Sequence, residues 1–212
     1  MQEKEPLILA IDTSGAYVSV ALMTPPVVHA VVHEWMDRGQ AERLMLAVDE
    51  VMRSANRQMR DLTAIAVAVG PGSFTGVRIA LASARGLGLA LDIPVWGVTN
   101  FEALAYDMEQ PVRVILDTRR DDFYIQDFDA DGRPESEACV MSVEALKKSQ
   151  IPLRVGVGDG ASKAMNIACH QVIYTLEPHA ERVGHVAWAN RNHPRPAEAM
   201  YLREADVTLP RR

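Results

Sequence analysis

The sequence predicts an α/β protein in which a mixed sheet flanked by helices is built twice, once in each half. Three observations carry this. A strand, an Asp-Thr turn and a second strand occur at Leu9-Ala10-Ile11-Asp12-Thr13 and 17–23, and again at Val114-Ile115-Leu116-Asp117-Thr118 and 123–128. Helical and strand patterns then alternate in both halves, which argues for layered α/β architecture. Between them, an apolar run at 64–69 enters a Gly/Pro turn at 70–76 and a helix of small residues at 75–91. The opening hairpin excludes a purely doubly wound parallel sheet. A repeat with one copy at the start of each half is what a duplicated domain produces.

The elements follow in order. Residues 7–11 are a short apolar run and read as a buried strand. A tight Thr13-Ser14-Gly15-Ala16 turn returns the chain into a strand at 17–23, and a third strand is expected at 27–35. In 40–56 the apolar residues Ala41, Leu44, Met45, Val48, Val51, Met52 and Ala55 fall at helical spacing. A strand at 95–99 follows the small-residue helix, and Asn100 is expected to cap a helix to about Asp107. The second half is expected to add a helix near 143–148, a strand at 154–157, a Gly-rich turn and short helix, a strand at 172–174 and a helix at 179–190. Pro194 and Pro196 begin the tail.

The bulk numbers narrow the function. The chain has 212 residues, enough for one large or two small domains. Net charge is −6, which gives no bulk electrostatic footprint for nucleic acid. Cys139 and Cys169 have no metal spacing and fit a reducing compartment. The acidic N-terminus does not read as a signal peptide, and no uncharged apolar run reaches about 18 residues. A cytoplasmic location without membrane contact is the expectation.

The turn Gly70-Pro71-Gly72-Ser73-Phe74-Thr75-Gly76 could cradle an anion with its backbone N–H groups and helix end. A Walker loop would need Lys-Ser/Thr after the last glycine, where Val77 and Arg78 stand. A dinucleotide fingerprint fails because its third glycine comes one residue late. The alternatives are a phosphate contact by Asp12, Thr13, Ser14, Gly72 and Ser73, or a tight turn with Thr75 as cap. The matching second turn, Asp117 to Asp122, has no glycine, and its arginines would obstruct a phosphate. The six histidines have no metal spacing, and no nucleophile–base motif is present. The helix at 75–91 contains Gly76, Gly86 and Gly88, each costing about 1 kcal/mol against alanine, which suggests close approach of another backbone. Both helices therefore pack either on their own sheet or on a partner, with Ala41, Leu44, Met45, Val48, Met52, Val77, Ala80 and Ala84 as candidate contacts.

These motifs resemble the bacterial TsaB (YeaZ) family. The blocks are ILAIDTSGAYVSVAL, GPGSFTGVRIALASARGLGLAL, VILDTRRDDFYIQDFD, GDGA at 158–161 and the tail YLREAD, together covering nearly the whole chain. The resemblance implies two tandem actin-like (ASKHA, RNase H-like) domains. Residues 1–107 would carry the partner-binding helices. Residues 108–212 would form the smaller domain, with the tail from about Pro194 packing back on the first. It further implies a noncatalytic scaffold, without cofactor or metal, in synthesis of N6-threonylcarbamoyladenosine at tRNA position 37. Its partners would be a TsaD-like catalytic paralogue and a TsaE-like ATPase. The two helices would form half of a four-helix contact, with a homodimer when alone and tRNA reached only through the complex. TsaD-type members carry an H-x-x-x-H metal motif that is absent here, and Gln40 stands where many relatives have His. The alternatives are a nucleotide-dependent ASKHA transferase, a glycoprotease-like peptidase, or a bare tRNA-binding module.

Overall fold

The computed structural model describes residues 5–149, 151–173 and 180–203. The first half begins with β1 (Ile8–Asp12), β2 (Tyr17–Thr24) and β3 (Val27–Trp35). It continues through α1 (Gln40–Ser54), β4 (Ala64–Ala68), α2 (Phe74–Leu91), β5 (Val95–Val98) and α3 (Asn100–Ala105). The second half contains β6 (Val112–Arg120), β7 (Asp122–Phe128), β8 (Cys139–Ser142), α4 (Val143–Lys148), β9 (Arg154–Val157) and β10 (Cys169–Ile173). Last come α5 (Ala180–Ala189) and β11 (Arg195–Pro196). Tyr174, His179 and residues 204–206 of the tail motif lie outside the described residues.

Two sheets result, in the order β11-β5-β4-β1-β2-β3 and β10-β9-β6-β7-β8. Each is organised round the same ladder. β1 pairs antiparallel with β2 and parallel with β4, while β6 pairs antiparallel with β7 and parallel with β9. The central strands β1 and β4 are buried on both faces and accordingly read as continuous apolar runs. α1 and α2 cover one face of the first sheet, packing Leu44, Val48, Val77 and Ala84 on Leu9, Ile11 and Val67. α5 covers the other with Ala180, Val183 and Ala187 against Ile8, Ala10 and Ala66. α3 joins the sheets: Ala103 packs with the α5 layer, whereas Phe101 and Leu104 pack on Val112, Val114 and Phe128.

The expected grouping of 108–212 needs a correction at its end. α5 and β11 belong to the first sheet, because the strip Ile8, Ala10 and Ala66 would otherwise be uncovered. The return of the tail extends to a pairing of Arg195 and Pro196 with Gly97 and Trp96. Two caps also differ. Thr99, not Asn100, caps α3 through a reciprocal box with Glu102. Ser73, not Thr75, caps α2 by accepting from the Gly76 N–H. Among the described residues only α2 is long and apolar enough, by length and composition, to cross a membrane. Here its inner face packs on β4, β1 and β5.

Candidate functional site: the cleft and the outer helix face

A cleft of about 330 Å³ lies where the β1–β2 turn, the glycine turn and the β6–β7 turn converge. Of the candidate phosphate contacts, Ser14, Gly72 and Ser73 line it, and Asp12 and Thr13 do not. Asp12 is fully buried. Its Oδ1 accepts the Ser14 N–H at 2.8 Å and its Oδ2 accepts the Tyr17 hydroxyl at 2.8 Å. Burial pushes its carboxyl above the ordinary value, and these hydrogen bonds only partly oppose that. Thr13 donates its hydroxyl to the Gly76 carbonyl at 2.7 Å.

The glycines are explained by what touches them. A Cβ at Gly76 would stand 1.9 Å from the Thr13 carbonyl oxygen, and one at Gly72 would stand 2.6 Å from that of Ser14. The Ser73 N–H donates to the Ser14 carbonyl at 2.6 Å. The loop that resembles a phosphate cradle thus grips the backbone of its own first hairpin. Asn100 locks the joint by donating Nδ2 to Ser14 Oγ and to the Pro71 carbonyl, each at 2.8 Å. Sequence reasoning assigned Asn100 to a cap and gave Tyr17 no role. The only available signal was polar character at the ends of apolar strands.

The opposite wall is a closed network of charges. Asp117 is nearly buried at its side chain; it accepts from Lys163 and from the Arg119 N–H. Burial alone would raise its pKa, but the Lys163 contact and the Arg119 hydrogen bond leave it lowered. Asp159 Oδ1 accepts the Asp117 N–H at 2.8 Å, and its Oδ2 lies 3.5 Å from Arg119. Burial raises the Asp159 carboxyl. Arg119 holds a left-handed turn conformation at φ 62° and lines the cleft. Gln40 and Asp37 complete the rim. Among the described residues no three His, Cys, Asp or Glu side chains group as metal ligands.

The candidate partner contacts divide. Leu44, Val48, Met52, Val77, Ala80 and Ala84 are at most 3% exposed and belong to the core beneath α1 and α2. That is a correction: the sheet itself requires the apolar stripe of each helix. Ala41 and Met45 face outward, beside Leu46 at 59% exposure. On α2 the outer face carries Ala82, Arg85, Gly86, Leu89 and Ala90, with Leu89 87% exposed. Gly88 is packed against Val95, whereas a Cβ at Gly86 would meet nothing within 4 Å.

Residues 29–175, more than half of the chain, match the family model described as TsaD, tRNA N6-adenosine threonylcarbamoyltransferase. The tRNA threonylcarbamoyladenosine biosynthesis protein TsaB of Bacillus subtilis is 37% identical over 120 residues, covering 55% of this chain and 52% of that protein. The chain spans about half the length of the curated TsaB relatives it matches. The solved structure of YeaZ from Pseudomonas aeruginosa superposes with a TM-score of 0.79 at 29% identity, covering 93% of this chain and all of that one. The ethanolamine utilization protein EutJ from Carboxydothermus hydrogenoformans shares the fold alone, with a TM-score of 0.52 at 12% identity over 85% and 90% of the two chains. The arrangement of two mixed sheets flanked by helices is the actin-like ASKHA fold. On the matched family model and the end-to-end agreement with YeaZ, the chain belongs to the TsaB (YeaZ) family.

Proposed function

We propose that the chain is a noncatalytic scaffold subunit in bacterial synthesis of tRNA N6-threonylcarbamoyladenosine. It docks a TsaD-type catalytic paralogue on the outer face of α1 and α2. The observation that carries this is Gly86, a helix-interior glycine that no contact among the described residues requires. Such a glycine costs helix stability with no return in the monomer. Ala82 and Leu89 share its face of α2, and Met45 and Leu46 are exposed on α1, apolar positions at which a second helix pair can approach closely. The same surface pairs two copies when the chain is alone, as an isologous contact.

The cleft supports the scaffold reading by what its residues already do. Asp12 is engaged by its own turn, Gly72 and Gly76 hold the hairpin backbone, and Arg119 and Lys163 are paired with Asp117. A TsaE-type ATPase joins the assembly, which works in the cytoplasm, and tRNA is modified on the assembled complex. The test is reconstituted threonylcarbamoyl transfer to tRNA with the paralogue and the ATPase. Transfer should require this chain and should survive Asp12→Asn. Turnover by the isolated chain, abolished by Asp12→Asn, would overturn the reading.

A further inference from the structure

Beside the cleft lies a second cavity of about 530 Å³, walled in part by Phe74, Arg78, Arg120, Tyr124, Tyr201 and Arg203. Phe74 and Tyr201 are each 50% exposed, with ring centroids 5.6 Å apart and planes 38° from parallel. The Arg78 guanidinium sits 3.6 Å from the Phe74 ring centroid, and its Nε donates to the Tyr201 hydroxyl at 3.0 Å. Arg203 differs: it is paired with Asp122. Arg78 has no carboxylate partner among the described residues. The cavity also borders the start of α2, an 18-residue helix with no acidic residue in its first turn. That end carries uncompensated positive potential.

Two half-exposed rings held in place by an arginine are a stacking surface, and Arg78, though its Nε is given to Tyr201 and its plane lies on Phe74, keeps its terminal N–H groups for a phosphate beside it. Flat rings with adjacent arginines are the chemistry by which unpaired nucleotides are held, without base-pair readout. The net charge of −6 gives the chain no general attraction for a polyanion, so any such binding depends on a local patch. We propose that the cavity takes an unpaired nucleotide of a single RNA strand. The base stacks on the Phe74–Tyr201 pair and the phosphate lies against Arg78. The choice of RNA rests on the tRNA reading above; the site chemistry stands without it.

The experiment is fluorescence anisotropy of a short unstructured oligoribonucleotide with the full chain, read for wild type, Arg78→Ala, Tyr201→Ala and Arg53→Ala. Arg53, exposed on α1 and paired with Asp49, controls for loss of charge. Removing a stacking ring or its arginine should weaken binding about tenfold, with unchanged thermal midpoints, while Arg53→Ala binds as wild type. Ultraviolet crosslinks on the wild type should map to Phe74, Arg78 or Tyr201. The proposal is overturned if wild type binds no RNA or if Arg53→Ala weakens binding equally. It is also overturned if crosslinks lie elsewhere, or if free adenosine monophosphate binds as tightly as the oligonucleotide. Loss of paralogue association in Arg78→Ala would make the patch a protein contact and overturn it too. Failure of the scaffold reading is separate, because RNA binding is measured on the chain alone.

Discussion

Two glycines on one helix should respond to alanine with opposite signs. At Gly76 a Cβ would lie 1.9 Å from the Thr13 carbonyl oxygen, where contacts under 3.0 Å essentially never occur. Hairpin and helix must therefore part by about 1 Å, an overpacking strain of about 1–3 kcal/mol. The same movement loosens two hydrogen bonds, Thr13 Oγ1 to the Gly76 carbonyl and the Ser73 N–H to Ser14. A buried group left unpaired costs about 1–3 kcal/mol. Alanine returns only about 0.5–1 kcal/mol of helix propensity, so Gly76→Ala should lose about 2–4 kcal/mol. At Gly86 the space is open, and the same gain of about 0.5–1 kcal/mol should appear undiminished in the monomer. Urea denaturation of the two variants reads both effects as shifts in midpoint at constant slope. A neutral Gly76→Ala would refute the claim that the glycine turn exists to grip the hairpin. A destabilised Gly86→Ala monomer would refute the assignment of Gly86 to an open face.

Further predictions concern the buried charges. Burial raises the Asp12 pKa, so the folded state holds that proton more tightly than the unfolded chain. Its contribution is therefore fully present below the ordinary carboxylate pKa and is lost as pH rises from there through the raised folded value. Asp12→Asn keeps an acceptor for the Ser14 N–H and turns an N–H₂ donor toward the Tyr17 hydroxyl, which can accept it, so it should be at least as stable as wild type at neutral pH and lack that decline. Urea midpoints measured across pH test this, and marked destabilisation of Asp12→Asn at pH 7 would contradict it. Arg113, 2% exposed, holds Asp127 with a bidentate pair and donates to the carbonyls of Pro152 and Ala168. Arg113→Met should cost about 3 kcal/mol by leaving Asp127 with only the longer Arg154 contact at 3.5 Å and the Pro152 and Ala168 carbonyls without this donor, read by thermal or urea unfolding; a loss under about 1 kcal/mol would contradict it.

The hairpins, both long helices and the alternation of the two halves were legible because their apolar periodicity is strong. β8 and β11 were not. β8 is a four-residue edge strand, Cys139–Ser142, without alternation, and β11 is a two-residue pairing made only by proximity to β5. The helix at 180–189 could be read, but not the sheet it covers, since periodicity says which face is apolar and not where that face goes. The same limit explains the interface candidates. The stripe Leu44, Val48, Val77 and Ala84 was visible as apolar, yet its own sheet claims it. The outward signal was weaker: a glycine at 86 and a leucine at 89 on the polar side of the stripe. In the cleft, the departures from nucleotide-binding patterns were readable, whereas the grip of Gly72 and Gly76 on the hairpin needed coordinates.

The central claim, that the outer face of α1 and α2 receives the paralogue, is tested most directly by sedimentation of the chain mixed with a TsaD-type paralogue. Leu89 is 87% exposed in the monomer, so Leu89→Glu should leave the fold unchanged, and its urea midpoint should match that of the wild type measured at a dilution where the chain is monomeric. In the complex the carboxylate would be buried without a partner, costing about 3–5 kcal/mol, which is about a hundredfold or more in affinity. The account predicts a stable assembly with the wild type and its loss with folded Leu89→Glu; a folded Leu89→Glu that sediments with the paralogue as the wild type does would contradict it.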